Sequence, residues 1–242
     1  MKAFECSAEE IKMYIEEGAV AILPIGSCEQ HGPHLPIGTD SMLAEFFSQE
    51  IAKRTKALIF PTFNFGYSWV WTGLPGTLTL SQEIFKTALL ELGESFKKMG
   101  FKLVLFVNGH DSNKMAIKYV IRDLCKDSDT KFLNIFYPGL DEIYQEVMES
   151  STWYGMFHAD EFETSLMMAY DESLVKNDKL VCEYPKRPNL YGLDESPLWN
   201  VSKTGVFGDA TKASKEKGKI MIERFAEDVV VKVDCYLNQI IE

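Results

Sequence analysis

The chain has 242 residues, with 25 basic and 36 acidic side chains for a formal net charge of −11, and it is 46% hydrophobic and 12% aromatic. That composition supports a packed core and excludes a disordered chain. The acidic excess is spread along the sequence without a basic patch, which excludes a surface that tracks nucleic-acid phosphates.

No stretch approaches the roughly 18–20 apolar residues of a membrane span, and the charged N-terminus has no long apolar signal region. The cysteines Cys6, Cys28, Cys125, Cys182 and Cys235 are scattered without CxxC spacing. A reducing, cytoplasmic setting with no membrane partner is expected. The length suits one α/β domain over residues 1–242.

In chain order, Ser7 and Glu10 form a capping-box pattern that opens a helix over 7–17. The apolar run 19–26 predicts a strand that delivers the turn-rich segment SCEQHGPHLPIGTD. A helix is expected over 41–54 and a strand over 57–61. The next helix, 81–99, should turn Ile84, Ala88, Leu92 and Phe96 inward. KLVLFV (102–107) is apolar on both faces, as a central strand covered by helices must be. NGHDSN then opens a helix with Ile117, Val120, Ile121 and Leu124 inward. A strand over 131–137, a helix over 161–170, a long loop over 184–208 and a terminal helix over 212–236 complete the pattern. Strands alternating with helices predict a three-layer α/β/α domain with a mostly parallel central sheet.

All four histidines, His31, His34, His110 and His158, fall in turn segments rich in carboxylates and next to predicted strand or helix ends. The carboxyl edge of a parallel sheet is where such folds assemble sites. In extended backbone Glu29 and His31 project to one side and Gln30 to the other. Asp40 follows on a loop stiffened by Pro33 and Pro36; it suits either a ligand bridging two ions about 3.5–4 Å apart or a helix N-cap. His34 reads equally as a surface loop residue. His110 leaves the buried strand through Asn108 and Gly109, and is either a further ligand or a histidine satisfied by backbone. Glu161 and Glu163 lie about 200° apart on a helical wheel. Glu163 shares the apolar face of Leu166, Met167 and Tyr170 and needs a cation there, whereas Glu161 lies on a more polar face and complements the helix N-terminus. His158 is open to three roles: proton donor, substrate contact or helix-entry residue. A Glu, His, Asp, His, Glu set without thiolate suits Zn²⁺, Mn²⁺ or Fe²⁺, and two such ions would activate water for hydrolysis.

The blocks PIGSCEQHGPHLPIGTD, LPGTLTL, NGHDSN, HADEFETSLMMA and TGVFGDATKASKEKG, spanning residues 24–218, resemble the creatininase (creatinine amidohydrolase) family. The resemblance implies a compact α/β/α fold, homo-oligomers including hexamers, and a two-ion centre hydrolysing C–N bonds in small cyclic amides or formamides. It carries Glu29, His31, Asp40 and His110 onto the family's metal ligands, with Asp40 bridging. It associates Glu163 with the metals, and gives His158 the handling of protons.

The sequence departs from the pattern in two places. Ser112 stands where creatininase has a Glu, which points away from creatinine as substrate. Trp69 and Trp71 stand where relatives often carry a histidine before PGT, and either wall a pocket for a flat substrate or belong to the core. The same ligand set would serve opening of a carbocyclic ketone, cleavage of a peptide tail, or metal-dependent binding of a small molecule without turnover.

Overall fold

Four apolar runs pair side by side in parallel: β1 (Val20–Ile25), β2 (Ala57–Ile59), β3 (Leu103–Asn108) and β4 (Lys131–Ile135), in the spatial order β2-β1-β3-β4. Their arrangement comes from a computed structural model, which describes residues 1–126, 128–193 and 197–237. Every residue of β1 and β3 is buried, so both faces of the central strands are apolar. Val20, Ile22, Leu103, Leu105 and Val107 face one core, and Ala21, Leu23, Ile25, Val104 and Phe106 the other.

The first core is closed by α2 (Thr39–Ala52), α5 (Leu140–Val147), α6 (Glu161–Asp171) and α7 (Lys215–Leu237), the second by α1 (Ala8–Glu16), α3 (Gln82–Met99) and α4 (Lys114–Leu124). This is the expected α/β/α sandwich. Two residues each of β5 (Cys182–Glu183) and β6 (Gly208–Asp209) pair antiparallel outside the main sheet.

The capping box at α1 forms as predicted, with the Ser7 N–H donating to Glu10 Oε2 at 2.7 Å. The inward face of α3 is rotated by one residue from the expected stripe. Phe85, Leu89, Gly93 and Phe96 are buried, while Ile84 and Leu92 are 58% and 36% exposed. Gly93 decides the rotation, because a Cβ there would lie 2.3 Å from Leu124 of α4. No signal anticipated α5 or the β5–β6 pair. Among its described residues the predicted loop 184–208 is irregular apart from a 3-10 turn at Leu198–Asn200 and Gly208, which opens β6; residues 194–196 lie outside the described ones. Among the described residues no helix is long and apolar enough to cross a membrane.

The order β2-β1-β3-β4 places successive connections on opposite sides of β1 and β3, so the chain leaves a crevice between their carboxyl ends. At that edge Gly109 lets the exit of β3 approach α2, since a Cβ on it would lie 2.2 Å from the Asp40 carbonyl. Behind the crevice α7 packs on α6 through Gly218, where a Cβ would lie 1.9 Å from the Ser165 carbonyl. Gly218→Ala should therefore cost about 1–3 kcal/mol by overpacking, although alanine is the better helix former by about 1 kcal/mol. Urea unfolding measures the sign; a stabilised variant would contradict this packing.

Candidate metal centre

Beyond β1 the chain turns through Ser27 and Cys28 and places Glu29 and His31 over the crevice. Asp40 reaches it from the first turn of α2, His110 from the exit of β3, Glu163 from the first turn of α6, and His158 from the loop before α6. All six are buried, none more than 7% exposed. Asp40 is not the N-cap, a place held by Gly38. Instead its carboxylate turns inward, with Oδ1 3.1 Å from His31 Nε2 and Oδ2 2.9 Å from His110 Nδ1. Ser27 Oγ donates to Oδ2 at 2.6 Å. Glu163 Oε2 lies 3.7 Å from His31 Nε2, and Glu29 Oε2 lies 3.5 Å from His110 Nε2.

The far nitrogen of each of these histidines meets a backbone carbonyl. His31 Nδ1–H donates to Glu29 O at 3.1 Å, His110 Nε2–H to Tyr67 O at 3.0 Å, and His158 Nε2–H to Gln30 O at 3.0 Å. A carbonyl can only accept, so it selects one tautomer and leaves the opposite nitrogen facing the carboxylates. That nitrogen is a lone pair aimed at anionic oxygen unless a proton or a cation lies between them. Metal-ligating histidines are oriented by this same second hydrogen bond.

The electrostatics point the same way. Burial disfavours the imidazolium of His31, yet Asp40, Glu163 and Glu29 overcome it and raise its pKa to about 10. Glu29 and Asp40 do the same for His110, also to about 10. Burial pushes Glu163 up to about 8 and raises Glu29 as well. Asp40 is buried too, but the imidazoles of His31 and His110 hold it well below the usual carboxylate range. Burial, reinforced by the charge on His31, keeps His158 neutral.

These residues fit divalent cations. Glu29 Oε2 is buried with no hydrogen-bond partner among the described residues. Glu29, Asp40 and His110 bring one donor atom each within 4.8 Å of one another, and so do His31, Asp40 and Glu163. Asp40 is common to the two groups. A third group of the same span joins Glu29, His31 and His158.

Several expectations change at this site. Gln30 does not turn away: its side-chain amide nitrogen lies 3.0 Å from His158 Nε2 and donates to Gly205 O at 3.2 Å. His34 is fully buried, not a surface residue, and hydrogen-bonds Thr164 Oγ1 at 2.9 Å. The more polar face expected for Glu161 is buried as well. Because α6 is packed between α2 and α7, Glu161 is buried like Glu163, accepts the Glu149 and Ser150 N–H groups and pairs with Lys217. Asp111, beside His110, is exposed and pairs with Lys114 at 2.7 Å.

Trp71 and Ser112 line the cavity above the centre, and Trp71 stacks on His158 with ring centroids 4.7 Å apart. Trp69 lies outside that cavity and is 39% exposed. Sequence reasoning passed over Ser27 and the Tyr67 carbonyl. It also passed over Tyr137, whose buried hydroxyl has no partner among the described residues and whose backbone is left-handed at φ 35°; its only signal was its place at the end of a predicted strand.

Fold and site together define a doubly wound α/β protein with a buried carboxylate–imidazole centre at its switch point. The creatininase family model, described as creatinine amidohydrolase, matches residues 4–233, and the chain belongs to that family of hydrolases. It is 29% identical over 223 residues to a mycofactocin precursor peptide peptidase of Mycobacterium ulcerans, covering 88% of this chain and 83% of that one. It is 28% identical to a creatinine amidohydrolase of Pseudomonas putida, covering 84% of each. A 3-dehydro-scyllo-inosose hydrolase of Thermotoga maritima is 27% identical, over 89% of this chain and 76% of that one. A crystal structure of creatinine amidohydrolase superimposes with a TM-score of 0.84 at 25% identity, covering 96% of each chain. Two further creatininase structures of this fold are described as a Zn-Zn type and an Mn form.

Cations bind ionised carboxylates and neutral imidazoles. His31, His110 and Glu163, all raised in the chain alone, must then release protons when cations bind. Zinc affinity should rise as pH increases from 6 to 9. Calorimetric titration in buffers of different ionisation enthalpy should show net proton release near pH 7, and a buffer-independent heat would contradict this electrostatic account.

Proposed function

We propose that this protein is a metal-dependent amidohydrolase that cleaves a C–N bond in a small cyclic amide or formamide. The observation that carries the reading is the Asp40 carboxylate, which divides its two oxygens between His31 and His110. Glu29, Asp40 and His110 would hold one divalent cation and His31, Asp40 and Glu163 a second, of Zn²⁺, Mn²⁺ or Fe²⁺ type. Bound there, the cations supply Lewis acidity and a water acidified to react near neutral pH.

The chain's own residues do the rest. Trp71 packs against the His158 ring and fixes its plane. His158, neutral and bound through Nε2, keeps Nδ1 free on the side of Glu29, 3.8 Å from Oε1. From there it takes up a proton at Nδ1 and returns it to the leaving nitrogen. Val70, Trp71, Phe136, Met156, Phe157 and Leu198 wall the cavity, and among the described residues no Lys or Arg lines it. Such walls exclude water and suit an uncharged substrate with a flat or apolar face.

A peptide tail is the second reading, favoured by the likeness to the mycobacterial peptidase. A cyclic ketone is the third, favoured by the likeness to the inosose hydrolase. The five free cysteines support a reducing, cytoplasmic setting. The exposed apolar side chains Ile84 and Leu92 of α3, with Met115 and Tyr119 of α4, support a homo-oligomer, with a hexamer as the form the family resemblance implies.

Metal-loaded protein assayed against lactams, formamides, cyclic ketones and short peptides should turn over an amide. Thermal stabilisation by these compounds with no product formed would leave a binding protein instead. His31→Ala should lose metal and turnover together. His158→Asn should keep its metal while turnover falls about 10²–10⁴-fold; metal lost from His158→Asn would make it a ligand and contradict the proton role.

A further inference from the structure

The loop Ser202–Gly205 makes no contact with the ligand set, yet it is held more firmly than an irregular surface segment requires. The Glu183 carboxylate gathers it: Oε1 accepts the Lys203 N–H at 2.8 Å, and Oε2 accepts the Thr204 N–H and the Ser202 hydroxyl, each at 2.9 Å, together with the Thr204 hydroxyl. Ser202 Oγ in turn accepts the Gly205 N–H at 2.8 Å. Glu183 is itself anchored where β5 pairs with β6.

This clamp ends at Gly205, whose backbone is left-handed at φ 81° and where a Cβ would lie 2.0 Å from Gln30 Oε1. Only glycine brings the loop so close to Gln30 without strain. The Gly205 carbonyl accepts from the Gln30 amide nitrogen at 3.2 Å, and Gln30 Oε1 accepts the Gly32 N–H at 2.9 Å, so both ends of that amide are fixed. That fixed side chain anchors the residue whose main-chain carbonyl accepts from His158 Nε2–H at 3.0 Å, while the amide nitrogen, a donor that cannot bond a protonated Nε2, packs 3.0 Å from it against the ring. On its other side the His158 main chain is tied to the same segment, with the Phe207 N–H donating to His158 O at 2.9 Å.

We infer that Gln30, braced from outside by Gly205 and the Glu183 clamp, is a positioning residue that holds the His158 ring with Nδ1 toward the centre. The inference rests on the proton role proposed for His158. It assigns that role's precision to a loop that does not line the cavity above the centre, and it explains why Glu183 satisfies so many donors at once.

The test uses the full chain loaded with zinc, with its four histidine rings labelled with ¹⁵N and ¹³C and His158 assigned by its loss in His158→Asn. Gln30→Ala, Glu183→Gln and Gly205→Ala should each move the His158 ring nitrogens from a single-tautomer pattern toward exchange between the two tautomers. Zinc content and the signals of His31, His34 and His110 should stay unchanged. The double variant Gln30→Ala/Glu183→Gln should change His158 no more than Gln30→Ala alone, because a brace acting through Gln30 has nothing left to act on.

An unmoved His158 in Gln30→Ala overturns the inference. So does a Glu183→Gln variant that leaves His158 unmoved, which also decides the matter should Gly205→Ala fail to fold. Equal shifts in all four histidines would reveal general loosening and overturn it as well. Absence of turnover in the wild-type protein would count against the proposed hydrolysis, and would leave these ring signals as they are.

Discussion

Positive charge must lie between buried carboxylates and the imidazole nitrogens that face them. Glu29, Asp40 and Glu163 are removed from water at one sheet edge, where an isolated ionised carboxylate costs far more than a single fold can absorb. The surrounding backbone sharpens the requirement. Three carbonyls, of Glu29, Gln30 and Tyr67, each take one imidazole N–H and so point the remaining nitrogen at the acids. Protons meet the need only in part, since Glu29 Oε2 has no hydrogen-bond partner among the described residues. Divalent cations would meet it, and Asp40 is the residue both candidate groups share.

The sheet makes this convergence possible. β1 and β3 are neighbours in space although Ile25 and its register partner Asn108 are 83 positions apart in the sequence, and the connections that leave them diverge, opening the crevice. Glycine at position 109 admits the close approach of β3's exit to α2 that joins His110 to Asp40. Strained backbone gathers at the same rim: Tyr137 and Ala159 have positive φ. The turn at Ala159 sets its N–H 2.6 Å from Glu163 Oε2 while His158 bonds Phe207. Such strain persists only where the surroundings enforce it.

The sheet was readable because buried parallel strands are continuous apolar runs, and β1 and β3 are apolar on both faces. Helix faces were less readable. On α3 the exposed Ile84 and Leu92 imitate a core stripe, and on α6 burial from both sides defeats a wheel that separates a more polar face with Glu161 from an apolar face with Glu163. At the site, turn residues and carboxylates beside each histidine marked Glu29, His31, Asp40 and His110 as candidates, and the structure brings them together. What stayed hidden depends on partners distant in the chain. The Tyr67 carbonyl has no side-chain signature, Ser27 reads as an ordinary turn serine, and Gln30 reaches His158 only because Gly205, 175 residues further on, is folded against it. Trp71 against His158 is likewise a tertiary contact, invisible to spacing.

The proposed centre depends on Asp40 serving two cations at once. Elemental analysis of the purified protein, read as metal equivalents per chain for the wild type and for Asp40→Ala, addresses this most directly. Two equivalents in the wild type and loss of both in Asp40→Ala is the predicted result. One equivalent or none in the wild type, or two retained without Asp40, would contradict it.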